Sequence, residues 1–259
     1  MTARSQFSSI RTRHFERKRK TSASRWSCDA CLQELRRVGR RKNVEGMARF
    51  GIAAKNVLGV AKPCMDKMAK QIGRNRPLAL ALWETGIHDA RILAGMIDDP
   101  AQVSSSQMDR WARDFDNWDV ADGTCCHLFV FAPPAWRKAL QWTARRKEFE
   151  KRAGFALIAY LAYRDKTAAD TKFSACLRLI ERECQDSRHF VKKAVNWALR
   201  NIGKRNLRLN RAAIQLAEKI RKRESSTARW IATDALRELH GEPVQRRLRG
   251  KNAREKCLS

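Results

Sequence analysis

Apolar residues recur along most of this chain at the spacing of an amphipathic helix. In the segment 190–203, Lys193, Trp197 and Arg200 share one stripe with Lys204 just beyond it. At about 100° per residue, the apolar residues form the opposite, core-facing stripe: Val191, Ala194, Val195, Ala198, Leu199 and Ile202. An indole among cations has no packing role there, whereas nucleic acid is bound by positive charge and flat rings. The pattern predicts a helix with a DNA or RNA contact face.

Helical periods separated by Pro and Gly fill the middle of the chain. The segments 63–73 and 77–86 begin with Pro and end with Gly, as short helices do. Ser104 and Gln107 can form a capping box before 108–115. Further periods cover 135–149, 153–163, 173–184, 209–220 and 228–239. About a dozen helices in successive pairs predict an all-α fold, an α-solenoid or superhelix of degenerate HEAT-like repeats with a concave basic face for DNA.

One stretch is also compatible with a β-strand. Asp122-Gly123 is typical of a hairpin, and 125–131 is apolar enough for a buried strand. Because no alternating partner strand precedes it, the pattern favours a helix here too.

The two ends of the chain are basic and lack an apolar period. Residues 1–26 contain one acid, Glu16, and we expect a disordered arm there. This arm could bind DNA, target an organelle or the nucleus, or arise from an overlong start site. Residues 242–259 are expected to form a second disordered basic tail, which leaves one domain over 27–241.

Charge narrows the choice of partner. Lys and Arg number 55 against 27 acids, a formal net charge of +28, which predicts a polyanionic partner. No stretch approaches the ~18 apolar residues of a spanning helix, and the basic residues are not gathered on one amphipathic anchor, so nucleic acid is favoured over a membrane. Eight cysteines without a secretory signal favour a reducing compartment. We expect a cytoplasmic protein, nucleoid-associated in a bacterium, with nuclear or organellar targeting left open.

An acid and an aromatic residue carry the candidate chemistry. Trp118 and Asp122 are four residues apart, so on a helix they share one surface. Neighbouring cations favour the ionised carboxylate, which could stabilise a developing positive charge or orient a water. Alternatively, Asp119 and Asp122 are a helix-start acid and a salt-bridge partner.

A cation stands at the expected N-terminal end of the helix 153–163. Arg152 there could hold a phosphate through its planar fork. Alternatively, it pairs with Glu148 or Glu150.

Seven ordered blocks between about 45 and 240 resemble one family. They are Phe50-Gly51-Ile52, Leu58-Gly59-Val60, Leu82-Trp83-Glu84-Thr85-Gly86, Asp89-Ala90-Arg91-Ile92-Leu93-Ala94, Trp118-Asp119-Val120-Ala121-Asp122, Lys151-Arg152-Ala153 and Val191-Lys192-Lys193-Ala194-Val195-Asn196-Trp197-Ala198-Leu199-Arg200. The set resembles the DNA alkylation repair enzymes of the AlkD type. The resemblance implies a superhelix of HEAT-like repeats and a monofunctional N-glycosylase that removes cationic N3- or N7-alkylated purines, such as 3-methyladenine and 7-methylguanine, from double-stranded DNA.

The resemblance also implies roles for individual residues. Asp122 matches the catalytic acid, Arg152 the phosphate-contacting arginine, and Trp118 and Trp197 the two lesion-facing tryptophans. It implies base excision repair without a metal or cofactor, and we expect a monomer. Further phosphate contacts are expected from Lys192, Lys193, Arg200, Lys204, Arg205, Arg208 and Arg211.

The cysteines and the other tryptophans have simpler interpretations. Cys28-x-x-Cys31 and Cys125-Cys126-His127 could hold zinc, but free cysteines are commonly small core residues, and we expect no metal. Core positions are expected for Trp83, Trp136, Trp142 and Trp230, while Trp111 is left open.

Two hypotheses follow. The first is an alkylpurine DNA glycosylase that acts through Asp122. The second is a non-catalytic HEAT-like scaffold that recognises DNA structure, for which a carboxylate on the contact face has no use.

Overall fold

The computed structural model describes residues 26–52 and 56–256, with the backbone alone from 251 onward. Within these ranges the chain forms fourteen α-helices, two 3-10 turns and no β-strand. The helices are α1 Cys28–Val38, α2 Arg41–Arg49, α3 Lys62–Ile72, α4 Arg76–Glu84, α5 His88–Ile97, α6 Ser105–Arg113, α7 Trp118–His127, α8 Ala135–Trp142, α9 Glu148–Arg164, α10 Asp170–Glu183, α11 His189–Gly203, α12 Leu207–Arg221, α13 Ser226–His240 and α14 Glu242–Lys256. The arm predicted over 1–26 lies outside the described residues except for Trp26.

The helices divide into two compact units, the first of which contains α1–α5. In this unit α5 packs against α1, α3 and α4. A buried carboxylate, Asp89 at the start of α5, accepts hydrogen bonds from the backbone N–H groups of Leu58 (2.6 Å) and Val60 (2.8 Å). These bonds fasten a segment that has no regular secondary structure of its own.

The second unit contains α6–α14 together with Gly51 and Ile52. Alternate helices form a row in which α9 packs against α7 and α11, and α11 packs against α13. The intervening helices cover this row, with α8 against α9 and α12 against both α11 and α13. All four predicted catalytic residues lie on this row: Trp118 and Asp122 on α7, Arg152 on α9 and Trp197 on α11.

Hydrophobic periodicity located most of these helices correctly. All six residues of the predicted core stripe of α11 are fully buried. The predicted strand alternative over 125–131 is wrong, because α7 continues to His127 and Phe129–Phe131 forms a 3-10 turn. Gly73 and Gly86 follow α3 and α4 with φ values of 71° and 66°, as the Pro-first, Gly-last pattern predicted.

The structure corrects the predicted elements in two places. The period over 135–149 is two elements, since α8 ends at Trp142 and α9 begins at Glu148, earlier than the predicted start at 153. Most of the tail expected to be disordered over 242–259 is α14, because Val244 and Leu248 are buried.

Large aromatic side chains fill much of the interior. Trp83, Trp111 and Trp142 are fully buried. The indole N–H of Trp142 donates to Asp109 at 2.9 Å, and that of half-buried Trp136 donates to Asp165 at 2.9 Å. These bonds satisfy the polar end of each ring. In the described part of the chain, every helix is too short or too polar to cross a membrane.

A close approach between α8 and α9 requires a glycine. A Cβ atom at Gly154 would lie 2.7 Å from the Thr143 amide nitrogen and 2.8 Å from the Trp142 carbonyl carbon. We predict that Gly154→Ala lowers the free energy of unfolding by about 2 kcal/mol, because backbone atoms must move. Urea denaturation tests this. The matched control is Gly46→Ala in α2, where open space surrounds the new methyl group and the helix gains up to about 1 kcal/mol. A Gly154→Ala protein as stable as the wild type would contradict the close approach.

Candidate active site

The first turn of α7 places the candidate catalytic acid. The Asn117 side chain caps this helix by accepting hydrogen bonds from the amides of Asp119 (3.0 Å) and Val120 (3.1 Å). Trp118, which is half-buried, begins the helix, and Asp122 follows one turn later. The spacing that predicted a shared surface for this ring and carboxylate is therefore helical, as expected.

Arg152 binds the carboxylate of Asp122 bidentately, with one N–H donor for each oxygen. Its Nε donates to Oδ1 at 2.9 Å and its Nη2 donates to Oδ2 at 2.6 Å. The third contact runs from Nη1 to the carbonyl oxygen of Phe190 at 2.8 Å. The side chains of Asp122 and Arg152 are only 14% and 8% exposed. A buried bidentate ion pair thus joins α7, α9 and the first turn of α11.

The predicted partners of Arg152 were wrong. Neither Glu148 nor Glu150 is its partner, and Arg152 is the fifth residue of α9 rather than a residue at its N-terminal end. Glu150 lies 3.5 Å from Arg145 and 3.6 Å from Lys147. Glu148 accepts a hydrogen bond from the Phe190 amide at 3.1 Å. The bond partner of Arg152 is set by the packing of α7 on α9.

Burial controls the protonation of Asp122 more than the neighbouring cations do. Burial raises the pKa of this carboxyl above its usual range, the Arg152 guanidinium opposes the rise, and the charge of Asp119 adds to it. The sequence prediction considered the cations and not this desolvation. The bidentate contact with the Arg152 guanidinium favours the ionised form of the carboxyl.

The ring of Trp197, on α11, packs against Tyr160, a residue that the sequence patterns did not indicate. The Tyr160 ring meets the Trp197 ring edge-on, with centroids 4.8 Å apart and an angle of 80° between the planes. Burial, followed by the neighbouring Cys126, raises the pKa of the Tyr160 hydroxyl, which therefore stays neutral. Tyr160 belongs to an almost uniformly apolar helix, and no spacing in the sequence marked it.

These side chains line one open groove of about 440 Å³. Its lining residues are Asp122, Arg152, Lys193, Asn196, Trp197, Arg200, Trp230 and Asp234. The structure therefore brings together three of the four predicted catalytic residues, and Trp118 lies one turn from Asp122 on α7. The core position predicted for Trp230 is wrong, since its side chain is 40% exposed on the α13 wall of the groove.

Comparison with known proteins extends the description. A family profile described as DNA alkylation repair enzyme matches residues 31–239. The chain belongs to this family.

Similarity to solved structures agrees with the helical architecture. One is described as a new family related to the HEAT-like repeat DNA glycosylases, with affinity for branched DNA structures; it is 24% identical, has a TM-score of 0.70, and covers 81% of this chain and 94% of its own. At this identity the likeness concerns the fold, and it confirms the predicted HEAT-like repeat type. A designed armadillo repeat protein is 13% identical over 80% of this chain and 99% of its own, with a TM-score of only 0.37. A search of curated proteins finds no match.

The predicted phosphate contacts differ in what already holds them. Lys193, Arg208 and Arg211 are exposed, and Lys192 places its ammonium 5.2 Å from the centre of the Trp230 ring. By contrast, Arg200 and Lys204 each contact Glu238 at 2.6 Å.

Arg205 has a structural role in addition to any contact with DNA. Its guanidinium donates to the carbonyl oxygens of Ala162 (3.2 Å), Lys166 (3.2 Å) and Ala168 (2.8 Å) near the end of α9, and it covers the Phe173 ring at 4.3 Å. A phosphate would have to compete with these partners.

The cysteines do not assemble into a recognisable metal site in the described residues. The seven cysteines there are free thiols, including Cys28, Cys31, Cys125 and Cys126. No group of three or more His, Cys, Asp or Glu side chains among the described residues is placed to hold a metal ion. Burial raises the pKa of the Cys125 thiol well above its usual range.

Breaking the central ion pair should destabilise the fold strongly. We predict that Arg152→Met lowers the free energy of unfolding by about 3–5 kcal/mol, because it leaves the Asp122 carboxylate buried without its partner. Asp122→Asn combined with Arg152→Met should cost less, since that charge is then absent. Arg208→Met is the matched control, because its side chain is 71% exposed and 3.8 Å from Asp170, and such pairs contribute less than about 1 kcal/mol. Urea denaturation of the wild type and these three variants tests the prediction. Equal losses for Arg152→Met and the double variant would contradict it.

Proposed function

We propose that this protein is a monofunctional DNA N-glycosylase that excises positively charged N3- and N7-alkylated purines from duplex DNA. One observation carries the proposal: a carboxylate, Asp122, is held on a groove that also presents Trp197, Arg152 and exposed Lys193. Asp122 is one of two carboxylates that line the groove, and its negative charge opposes the binding of a polyanion but can stabilise a developing cation. Membership of the DNA alkylation repair enzyme family supports the same reaction class.

The chemistry needs a carboxylate and no general acid. The alkylated purine already carries a positive charge, so the C1′–N bond breaks with its electron pair moving onto the base, and the base leaves neutral. The deoxyribose becomes an oxocarbenium ion. Asp122 stabilises this cation and positions the water that attacks C1′, whose proton goes to solvent, and the products are free base and an abasic site.

Arg152 both orients the acid and remains able to bind phosphate. An arginine has five N–H donors, and the three described contacts leave two of them for a phosphate oxygen. The indoles of Trp118 and Trp197 are proposed to pack against the electron-poor sugar of the lesion nucleotide. An open groove of this kind selects a lesion by its charge and leaving-group ability more than by the shape of the base.

A non-catalytic DNA-binding scaffold is the second candidate. It is favoured by the described affinity of the 24% identical relative for branched DNA structures. The two candidates differ in their need for Asp122.

Removal of one carboxylate separates the candidates. We predict that Asp122→Asn lowers the single-turnover rate of base release from duplex DNA carrying 7-methylguanine or 3-methyladenine by at least about 10²-fold, the loss typical of one electrostatic stabiliser. DNA affinity should be unchanged or higher, because a negative charge is removed. Asp66→Asn is the control, because Asp66 is an exposed carboxylate on α3 that forms a surface pair with Lys62. Absence of base release by a folded, DNA-binding wild type would favour the scaffold.

The acid limb of the reaction should reflect the environment of Asp122. Burial raises the pKa of this carboxyl, so base release should decline at a higher pH than an exposed aspartate would give. Asp119 contributes to that rise, so Asp119→Asn should lower the apparent pKa and preserve activity to more acidic pH. Single-turnover rates across pH measure this, after subtraction of spontaneous depurination. A shift in the opposite direction would show that ionisation of Asp122 does not determine the fall in rate at acidic pH.

A further inference from the structure

A second Trp-x-x-x-Asp pair lines the groove that Asp122 also lines. Trp230 and Asp234 repeat on α13 the spacing of Trp118 and Asp122 on α7. Asp234 accepts a hydrogen bond from the Asn196 side-chain amide at 2.7 Å, pairs with Arg237 and lies 3.5 Å from Arg200. The α11 and α13 wall of the groove thus has its own aromatic, acidic and guanidinium groups.

Trp230 is not part of the packed face of α13. The buried residues of that helix are Thr227, Ala228, Ile231, Ala232, Ala235, Leu236 and Leu239. The Trp230 ring is 40% exposed, and the Lys192 ammonium lies 5.2 Å from its centre. An exposed aromatic ring bordered by cations is the combination with which proteins stack unpaired bases of nucleic acid.

Beside this ring, the groove wall has an unmet acceptor and an unmet donor. Asn196 is 2% exposed, and its Oδ1 and the Nε of Arg200 are buried without a hydrogen-bond partner among the described residues. The orientation of the Asn196 amide is set by Asp234, which as a carboxylate only accepts and therefore takes the NH2 group. The two groups are one turn apart on α11. A nucleobase edge, which presents a donor next to an acceptor, complements them.

We propose that Trp230 is a stacking platform for an unpaired base of the bound DNA, with Asn196 and Arg200 as hydrogen-bonding partners for the polar edge of that base. This rests on the proposed function only in that DNA occupies the groove. The Watson–Crick edge of each of the four bases has a donor and an acceptor and is free in an unpaired base, so the subsite accepts any of them. Both atoms are buried in the free protein, so the Arg200 side chain must move for the base to reach them.

Binding of DNA with one unpaired 2-aminopurine tests the platform. The wild type should bind this duplex more tightly than a fully paired duplex containing 2-aminopurine, and it should quench the fluorescence of the unpaired base through stacking. Trp230→Ala should lose roughly tenfold of that preference, consistent with one base–aromatic stack. Trp230→Phe should retain most of the preference, because it keeps a flat ring.

Two further variants make the test specific. Tyr163→Ala is the matched control, since Tyr163 is 61% exposed and bordered by Arg164 and Lys166 but lies outside the groove. It should bind both duplexes like the wild type. Arg200→Lys keeps the charge and removes Nε, and it should lower affinity for the unpaired base severalfold more than for the paired duplex.

The outcomes separate this proposal from the glycosylase. An unchanged preference in Trp230→Ala, or an equal loss in Tyr163→Ala, would overturn the platform, provided that thermal unfolding shows each variant folded. Base release from 7-methylguanine DNA is measured in parallel. Failure of the wild type to release base, together with a Trp230-dependent preference, would refute the glycosylase and leave the platform standing.

Discussion

The ion pair between Asp122 and Arg152 is the interaction around which the second unit is organised. It joins three helices of one row, because Arg152 on α9 binds the α7 carboxylate and also the Phe190 carbonyl at the start of α11. Two largely buried charges are stable only when each finds a well-oriented partner. The pair therefore constrains how these helices pack, and it also holds the acid on which the proposed reaction depends.

Local patterns account for how far the sequence alone could predict this architecture. The stripe of α11 and the apolar run of α9 are short-range signals, and both produced correct buried faces. The start of α9 was missed, because its first turn is charged and the apolar signal begins only at Ala153. In α14, two apolar residues in a strongly basic segment, Val244 and Leu248, suffice to bury one side of the helix.

The site was predictable in its residue types and less so in its contacts. Spacing, stripe and resemblance indicate Trp118, Asp122, Arg152 and Trp197. The partners of the last three, however, lie about 30 or more residues away in sequence. Such pairs depend on which helices become neighbours, and no local period encodes this. Trp230 could have been identified by its repeat of the Trp-x-x-x-Asp spacing, although aromatic residues in mixed helical patterns are usually core.

The contacts of Glu238 change how many of the cations of this protein are free to bind DNA. Burial works against ionisation of this carboxyl, but hydrogen bonds and charges from Lys204 and Arg200 lower its pKa, so both cations already share one carboxylate within the fold. DNA binds basic proteins largely by releasing the counterions condensed on its phosphates. When a cation must first leave a carboxylate to bind a phosphate, the broken ion pair offsets part of the entropy gained by counterion release. The 55 Lys and Arg side chains therefore overstate the number of cations that are free to displace counterions from DNA.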